Sequence, residues 1–286
     1  MAKPGGPDGP TSHDVVDAVR RALAIRRVGH LGTLDPCAAG LLVLVVGRAT
    51  RLAPFAGGWR KSYEGVIRLG ATTTSDDATG QVVATSDAWR SFDRVRMEEA
   101  LACFRGGYEQ RPPAYSAVKI EGERSYRRAR RGETVTLAPR PVHVAELELV
   151  GFEPPDVAFR ATVGGGTYLR SLARDVGAAL GCGAHLAALT RTAVGPFQLA
   201  DAVPAESVTV RDLRDASELV AELPRRELNR DERDAVLNGR PIRAGAGAGN
   251  GTRDTGNVAL FADGRLLAVA AVVEGVLKPR VVVAEG

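Results

Sequence analysis

The sequence predicts an α+β fold: a mixed β-sheet domain with flanking helices, followed by a small β-rich domain at the C-terminal end. Three observations carry this. Strand-like and helix-like stretches follow one another without the strict β-α-β rhythm of a doubly wound sheet. Residues 142–150 (VHVAELELV) and 156–163 (DVAFRATV) alternate apolar and polar side chains, as half-buried strands do. The charged stretch 215–234 (DASELVAELPRRELNRDERD) carries Pro224 and precedes a tail rich in strand formers. The expected domains are therefore 1–222 and 223–286.

Each element follows in order. Thr11-Ser12-His13-Asp14 reads as a capping box, T-x-x-D, ahead of VVDAVRRALAI, where Val15, Val16, Val19 and Leu23 fall at helical spacing. GHLGTLDPCAAG, residues 29–40, is punctuated by Gly and Pro and reads as a loop. LLVLVV, residues 41–46, reads as one buried strand stopped by Gly47. SYEGVIRLG, residues 62–70, is a second strand, and QVVAT resumes strand structure after the polar loop 69–80. Met97–Phe104 suits a short helix, and Lys119–Arg131 a helix or a basic arm. In GGGTYLRSLARDVGAAL, residues 164–180, the period switches. Leu172, Val176 and Leu180 recur every four, so a helix opens near Thr167. NVALFADGRLLAVAAVV, residues 257–273, reads as two strands around an Asp263-Gly264 turn. The Gly-rich stretch 244–251 (AGAGAGNG) has no helix pattern after it, so a plain loop is favoured over a phosphate cradle.

Composition bounds the function. At 286 residues and 44% hydrophobic, the chain can bury a sizeable core. No apolar run approaches the roughly 20 residues that span a bilayer. MAKPGGPDGP has no apolar signal core, and three cysteines (Cys37, Cys103, Cys182) make no disulfide framework. A reducing, cytoplasmic setting is expected, with no membrane partner. The net charge is only +4, yet the cations cluster, and all but four of the 38 are arginine. Residues 119–131 hold Lys119, Arg124, Arg127, Arg128, Arg130 and Arg131 against Glu121 and Glu123. Arginine forks fit phosphate oxygens, so these clusters point to nucleic acid, against the alternative of a solvated Arg-rich surface.

Asp35 is the residue that most needs an explanation. Between Arg20 and Lys61 lie eight cations (Arg20, Arg21, Arg26, Arg27, Arg48, Arg51, Arg60 and Lys61), and Asp35 is the only acid among them. Such surroundings favour the ionised carboxylate, which can serve as a nucleophile. The competing reading is an Asp-Pro turn. Gly29, Gly32 and Gly40 would allow close backbone approach to a ligand. Arg170 falls in the first turn of its helix, where the macrodipole disfavours a cation, so an anionic partner is implied, with Asp175 and Asp35 as candidates. Tyr63 is either a core tyrosine or an aromatic floor for a base, and His30 either a buried structural histidine or a ring packed on a base. Cys182-Gly-Ala-His185 has no second half, so packing is favoured over metal ligation. With no Walker, nucleophile-elbow or paired-carboxylate signature, no metal and no cofactor are expected.

With these residues in hand, the chain resembles the TruB family of bacterial tRNA pseudouridine-55 synthases. GHLGTLDPCAAGLLVLVVGRATR matches that family's G-H-x-G-T-L-D-P-x-A-x-G signature. The match continues through KSY at 61–63, PPAYSAVKIEGERSYRRARRGE at 112–133, RPVHV, and GGGTYLRSLARDVGAALGCGAHLAALTRT to Thr192. The tail is more loosely similar to the family's PUA-like RNA-binding domain. The resemblance implies a pseudouridine synthase fold and a monomer acting on the T-arm stem-loop of tRNA. It implies Asp35 as nucleophile, Tyr63 as the ring against the target base and Arg170 as the partner of Asp35. His30, Lys119, Tyr168 and Leu189 are implied as substrate contacts, and Arg124, Arg127, Arg128, Arg130 and Arg131 are expected to hold phosphates. Two departures stand out. The family's opening apolar strand is missing before Lys3-Pro4. Its T-D-T-x-D loop reads Thr73-Thr74-Ser75-Asp76-Asp77, with Thr74 in place of an Asp.

Such an isomerisation needs no redox step. The target base must be flipped from its stack to be reached. Asp35 would attack C1′ or C6, or remove a C2′ proton on a glycal route. Two other readings stay open: a synthase acting on another RNA, and a tRNA-folding chaperone with secondary catalysis. A poorly folding product lacking its first strand is a third.

Overall fold

The computed structural model describes residues 1–6, 9–116, 118–120, 122–131, 133, 135–244 and 256–283. The Gly-rich stretch 244–251 lies almost wholly outside them. So do the side chains of Lys119, Arg124 and Arg130.

The strands run in chain order β1 (Ala2–Lys3), β2 (Val28–His30), β3 (Ala39–Leu41), β4 (Leu44–Val46), β5 (Lys61–Leu69), β6 (Ala71–Thr73), β7 (Val82–Thr85), β8 (Gly106–Gln110), β9 (Lys119–Ile120) and β10 (Glu123–Arg124). There follow β11 (Arg140–Glu153), β12 (Asp156–Val163), β13 (Ala184–Val194), β14 (Phe197–Gln198), β15 (Arg225–Glu227), β16 (Ile242–Arg243), β17 (Asn257–Ala262), β18 (Arg265–Val273) and β19 (Val276–Val282). The helices are α1 (Ser12–Leu23), α2 (Arg94–Ala102), α3 (Ser125–Arg130), α4 (Leu169–Leu180) and α5 (Arg230–Leu237). The chain divides into two compact units: Met1–Val15, Thr33–Val43 and Gly58–Pro204 make one, and Val16–Gly32, Leu44–Gly57 and Ala205–Gly286 the other.

The first unit is built on a mixed sheet of order β1-β3-β13-β5-β12-β11-β8, with β14 paired to β13. Among the described strands of this sheet, only β3 and β13 pair parallel. Alternation in β5 and β12 sorts the two faces. Ile67, Phe159, Val157 and Leu147 turn inward and are buried with Met97 and Leu101 of α2 and Leu172 and Val176 of α4. The opposite face carries exposed ion pairs, with Arg68 forked onto Asp156 at 2.7 Å for both bonds and Arg160 on Glu64 at 3.1 Å. The second unit holds the sheet β15-β17-β18-β19-β16, with α5 packing Val236 against Leu260 and Leu277. The β17–β18 turn has positive φ at both Asp263 and Gly264, the geometry of a type I′ hairpin. Among the described residues no helix is long and apolar enough to cross a membrane.

Several expectations are corrected. LLVLVV is not one strand. It breaks at Leu42–Val43, with β3 joining β13 and β4 pairing β2, so each half satisfies its backbone in a different sheet. The opening strand is not wholly missing, because Ala2 and Lys3 pair antiparallel with Leu41 and Gly40. The segment 119–131 is a β9–β10 hairpin leading into the short helix α3. Gly40 leaves room for protein rather than ligand. At φ +108°, its missing Cβ would fall 2.3 Å from the Arg191 carbonyl oxygen. Gly40→Ala therefore combines a left-handed φ with a backbone clash. A cost above about 2 kcal/mol is expected, seen as a fall in the melting midpoint of roughly 5 °C or more.

Candidate active site

Asp35 sits in the turn between β2 and β3, where Ala38 N–H donates to its carbonyl at 3.1 Å. The loop is fastened from both sides. Ser12, in the first turn of α1, exchanges two 2.9 Å bonds with the backbone of Leu34. The capping box behind it is present, since Thr11 and Asp14 bond reciprocally. Beyond Asp35, the buried Lys3 ammonium donates to the carbonyls of Pro4, Pro36 and Ala38 at 3.0, 2.9 and 2.6 Å. All three ammonium protons are thus used, which makes burial of that charge tolerable. Burial lowers the Lys3 pKa, and the nearby Cys37 and Asp35 oppose the shift.

Arg170, the second residue of α4, reaches this loop. Its side chain is 6% exposed, and it forks onto Asp35 with Nε 2.9 Å from Oδ2 and Nη2 3.2 Å from Oδ1. Nη1 donates to Ser75 O at 3.0 Å and Nη2 to Tyr115 O at 2.9 Å. Asp77, also 6% exposed, has Oδ2 3.7 Å from Nε. Asp35 itself keeps 39% of its side chain exposed, so its carboxylate is oriented yet reachable. Of the two candidate partners of Arg170, the structure selects Asp35; Asp175 pairs with Arg174 instead, at 2.8 Å.

Sequence reasoning misses Asp77 as a site residue. Its Oδ1 accepts from Ser75 Oγ at 2.6 Å and from Thr79 N and Oγ1 at 3.0 and 2.6 Å. The loop is pinned to β13 by Leu186 N donating to Asp76 O and Ala78 N to Leu186 O, both at 3.0 Å. Two signals in the sequence bear on it: its place at the last Asp of the T-D-T-x-D loop, and a run of Ser, Thr and Asp dense in residues that bond their own backbone. Gln110 is missed as well. It is fully buried, accepts from Tyr168 N at 2.8 Å and donates to Tyr168 O at 3.1 Å, fixing the residue that opens α4.

Tyr63, on β5, is buried within the core cluster, and burial pushes its phenol above the usual tyrosine value. Its cross-strand partner on β13 is Arg191, and Leu189 stands opposite Gly65. Tyr168 and Leu189 are half-buried. His30 ends β2, in register with Leu44, within the second unit. In the basic arm, Arg131 forks onto Glu123 at 2.6 and 2.9 Å, and Arg128 pairs with Glu133 at 2.8 Å. Part of that arm's charge is therefore engaged within the arm, while Arg127 is exposed. His185 Nδ1 lies 2.9 Å from Ala71 O and the neighbouring Cys182 is buried, as a packing role requires.

Cys37 follows the Asp-Pro pair. Burial, with Asp77 and Asp35 nearby, pushes its thiol up to about 11. A thiol reacts as its thiolate, so Cys37 stays unreactive at pH 8 and reactivity rises only as pH approaches that value. Iodoacetamide at pH 8 is expected to label the exposed Cys103 first and spare Cys37, read by peptide mass spectrometry.

Residues 20–169 match the TruB family pseudouridylate synthase N-terminal domain, and residues 170–233 match the tRNA pseudouridylate synthase B C-terminal domain. The tRNA pseudouridine synthase B of Thermobifida fusca (strain YX) is 45% identical over 97% of this chain and 96% of its own length. That of Arthrobacter sp. (strain FB24) is 43% identical over 97% and 94%. A crystal structure of a Cbf5-Nop10-Gar1 complex superposes with a TM-score of 0.71 at 26% identity, over 99% of this chain and 82% of that one. An H/ACA RNP bound to a substrate RNA containing 2′-deoxyuridine gives 0.72 at 22% identity, covering 99% and 84%, a likeness of fold. With a family model spanning more than half of it and relatives alike along nearly its whole length, the chain belongs to the TruB family of pseudouridylate synthases.

Proposed function

We propose that the protein isomerises uridine-55 in the T-loop of tRNA to pseudouridine, with Asp35 as nucleophile. The observation that carries this reading is the Arg170 fork on a carboxylate that stays partly exposed. The relatives named above, each a tRNA pseudouridine synthase B, supply the substrate class.

Isomerisation breaks the N1–C1′ bond and forms C5–C1′. The ring loses its C5 proton and gains one at N1, so no co-reactant is consumed. Asp35 starts the sequence at C1′, at C6 or at the C2′ proton. Arg170 holds both carboxylate oxygens and so sets the direction of attack. Tyr63 packs against the detached ring and takes part in the C5 proton transfer. His30, Lys119, Tyr168 and Leu189 contact the everted nucleotide or the T-loop, and His30 fills the space it vacates.

Residues 1–222 form the catalytic domain and residues 223–286 an RNA-binding domain of a cytoplasmic monomer. Arg124, Arg127, Arg128, Arg130 and Arg131 hold phosphates. Binding should therefore weaken roughly tenfold or more between about 50 and 200 mM salt. Arg127→Ala should flatten that slope in a filter-binding titration.

The direct test is incubation with a T-arm stem-loop, followed by uridine-specific labelling and mass spectrometry. Modification at the single T-loop position is expected. Modification confined to other RNAs would overturn the substrate assignment.

A further inference from the structure

Arg191 has no part in the chemistry proposed above, yet among the described residues it is the largest by volume of the side chains that are essentially inaccessible, at 1% exposure. Burying a guanidinium is costly, so its partners matter. It stands at a junction of three strands. Across the antiparallel β13–β5 pair it lies opposite Tyr63, and across the parallel β13–β3 pair opposite Gly40. A register shift between Arg191 and Ala193 bulges the strand there, a device that re-aims a side chain. Its Nε donates to Leu41 O at 2.7 Å, and Nη1 lies 3.5 Å from Thr33 O. Those two carbonyls bracket the loop that carries Asp35. Its side chain also hydrogen-bonds the Tyr63 phenol.

A guanidinium can only donate. In the Arg191–Tyr63 bond the phenol oxygen must therefore accept, and the phenol's own proton must point elsewhere. Tyr63 is thereby held with one lone pair engaged and its O–H directed away from Arg191.

We infer that Arg191 is a positioning residue for the proton transfer at C5, acting through Tyr63. This rests on the reading of Tyr63 given above. The balance is closed. After C5–C1′ has formed, the phenol gives its proton to N1, which must gain one. Its oxygen then takes the C5 proton, and the C5–H electron pair closes the C5=C6 double bond. Tyr63 ends as it began. In between the phenol oxygen carries negative charge, which burial and the Asp35 carboxylate disfavour, and the Arg191 cation counters those effects in part.

The test compares single-turnover rates on a T-arm stem-loop carrying uridine or 5-deuterouridine at the target position. Arg191→Gln is expected to slow turnover by about 10²-fold, to leave RNA affinity within a few-fold, and to raise the deuterium isotope effect well above that of the wild type. In a Tyr63→Phe background the same change should add less than about threefold, because interacting residues are not additive. Arg191→Lys, which keeps the charge but loses the fork, should lie between wild type and Arg191→Gln in both rate and isotope effect.

An Arg191→Gln protein slowed with the wild-type isotope effect, or slowed equally with and without the Tyr63 hydroxyl, overturns the inference and leaves Arg191 a structural tie to Leu41. If Tyr63→Phe itself leaves the isotope effect unchanged, the reading of Tyr63 fails first and the inference falls with it. Should Arg191→Gln not fold, Arg191→Lys is read instead. A raised isotope effect at an unchanged melting midpoint supports the role, and a wild-type isotope effect overturns it.

Discussion

Asp35→Asn is expected to lower pseudouridine formation by about 10⁴-fold or more, while tRNA binding stays within a few-fold. The substitution keeps the side chain's size, and its amide oxygen can still accept from Arg170, so the loop pinned by Lys3 and Ser12 should hold its shape. What it removes is the negative charge and the oxygen proposed as the nucleophile. Stem-loop turnover and filter binding measure the two consequences separately. Normal turnover by this variant would end the assignment of Asp35. Rescue of a deletion strain by the same inactive variant would favour RNA folding over catalysis as the main task.

Arg170→Met should have the second largest effect, and it should show in stability as well as in rate. The guanidinium is buried and serves Asp35, Asp77, Ser75 O and Tyr115 O together. Removing it strands Asp77 as a buried carboxylate, at a cost of about 3–5 kcal/mol. Turnover should fall by about 10²–10³-fold or more, as when a preorganised charge partner is lost. The double variant Arg170→Met/Asp77→Asn separates the two. Neutralising Asp77 should recover much of the stability, read by thermal melting, and none of the turnover. Recovery of both would mean that Arg170 acts only as a structural tie. Arg170→Lys keeps the charge but cannot fork, and should retain more stability than rate.

The parts of the fold that are legible in the sequence are those decided locally. The β11 and β12 strands follow from alternation, α4 from its four-residue recurrence, and the β17–β18 hairpin from Asp263-Gly264. The parts that are not legible depend on which distant segment supplies a partner. LLVLVV has strand composition throughout, and nothing in six apolar residues says that its halves enter different sheets. Asp35 and Arg170 are legible singly, one as an isolated acid and one as a cation at the wrong end of a helix. The sequence leaves their pairing open against Asp175. Helix geometry closes that question: residues five apart on a helix of 3.6 per turn lie about 140° apart, so Asp175 turns to Arg174 instead. Asp77, Gln110, Ser12 and Arg191 escape because each acts through a bond to a backbone group or charge far off in the chain. Lys3 stands out in the sequence only as the residue before which the family's opening strand is missing. Its role appears when three carbonyls are seen converging on it.

The parallel pairing of β3 with β13 joins Ala39 to Thr190 and Gly40 to Arg191. On a ribosome adding about 5–20 residues per second, the loop that carries Asp35 emerges many seconds before the strand that must hold it. Its other fasteners, Ser12 and Lys3, are already present, but Arg170 and Arg191 are not. A nascent chain stopped before β13 would hold that carboxylate in a loop fastened by Ser12 and Lys3 but lacking the β13 pairing and the Arg191 bond to Leu41. The two-residue strand β1 gains its bridge to Pro204 later still. Maturation of this enzyme is thus timed by its C-terminal half, and ribosome stalling after the basic arm has emerged but before β13 has should yield intermediates that engage RNA through that arm without modifying it.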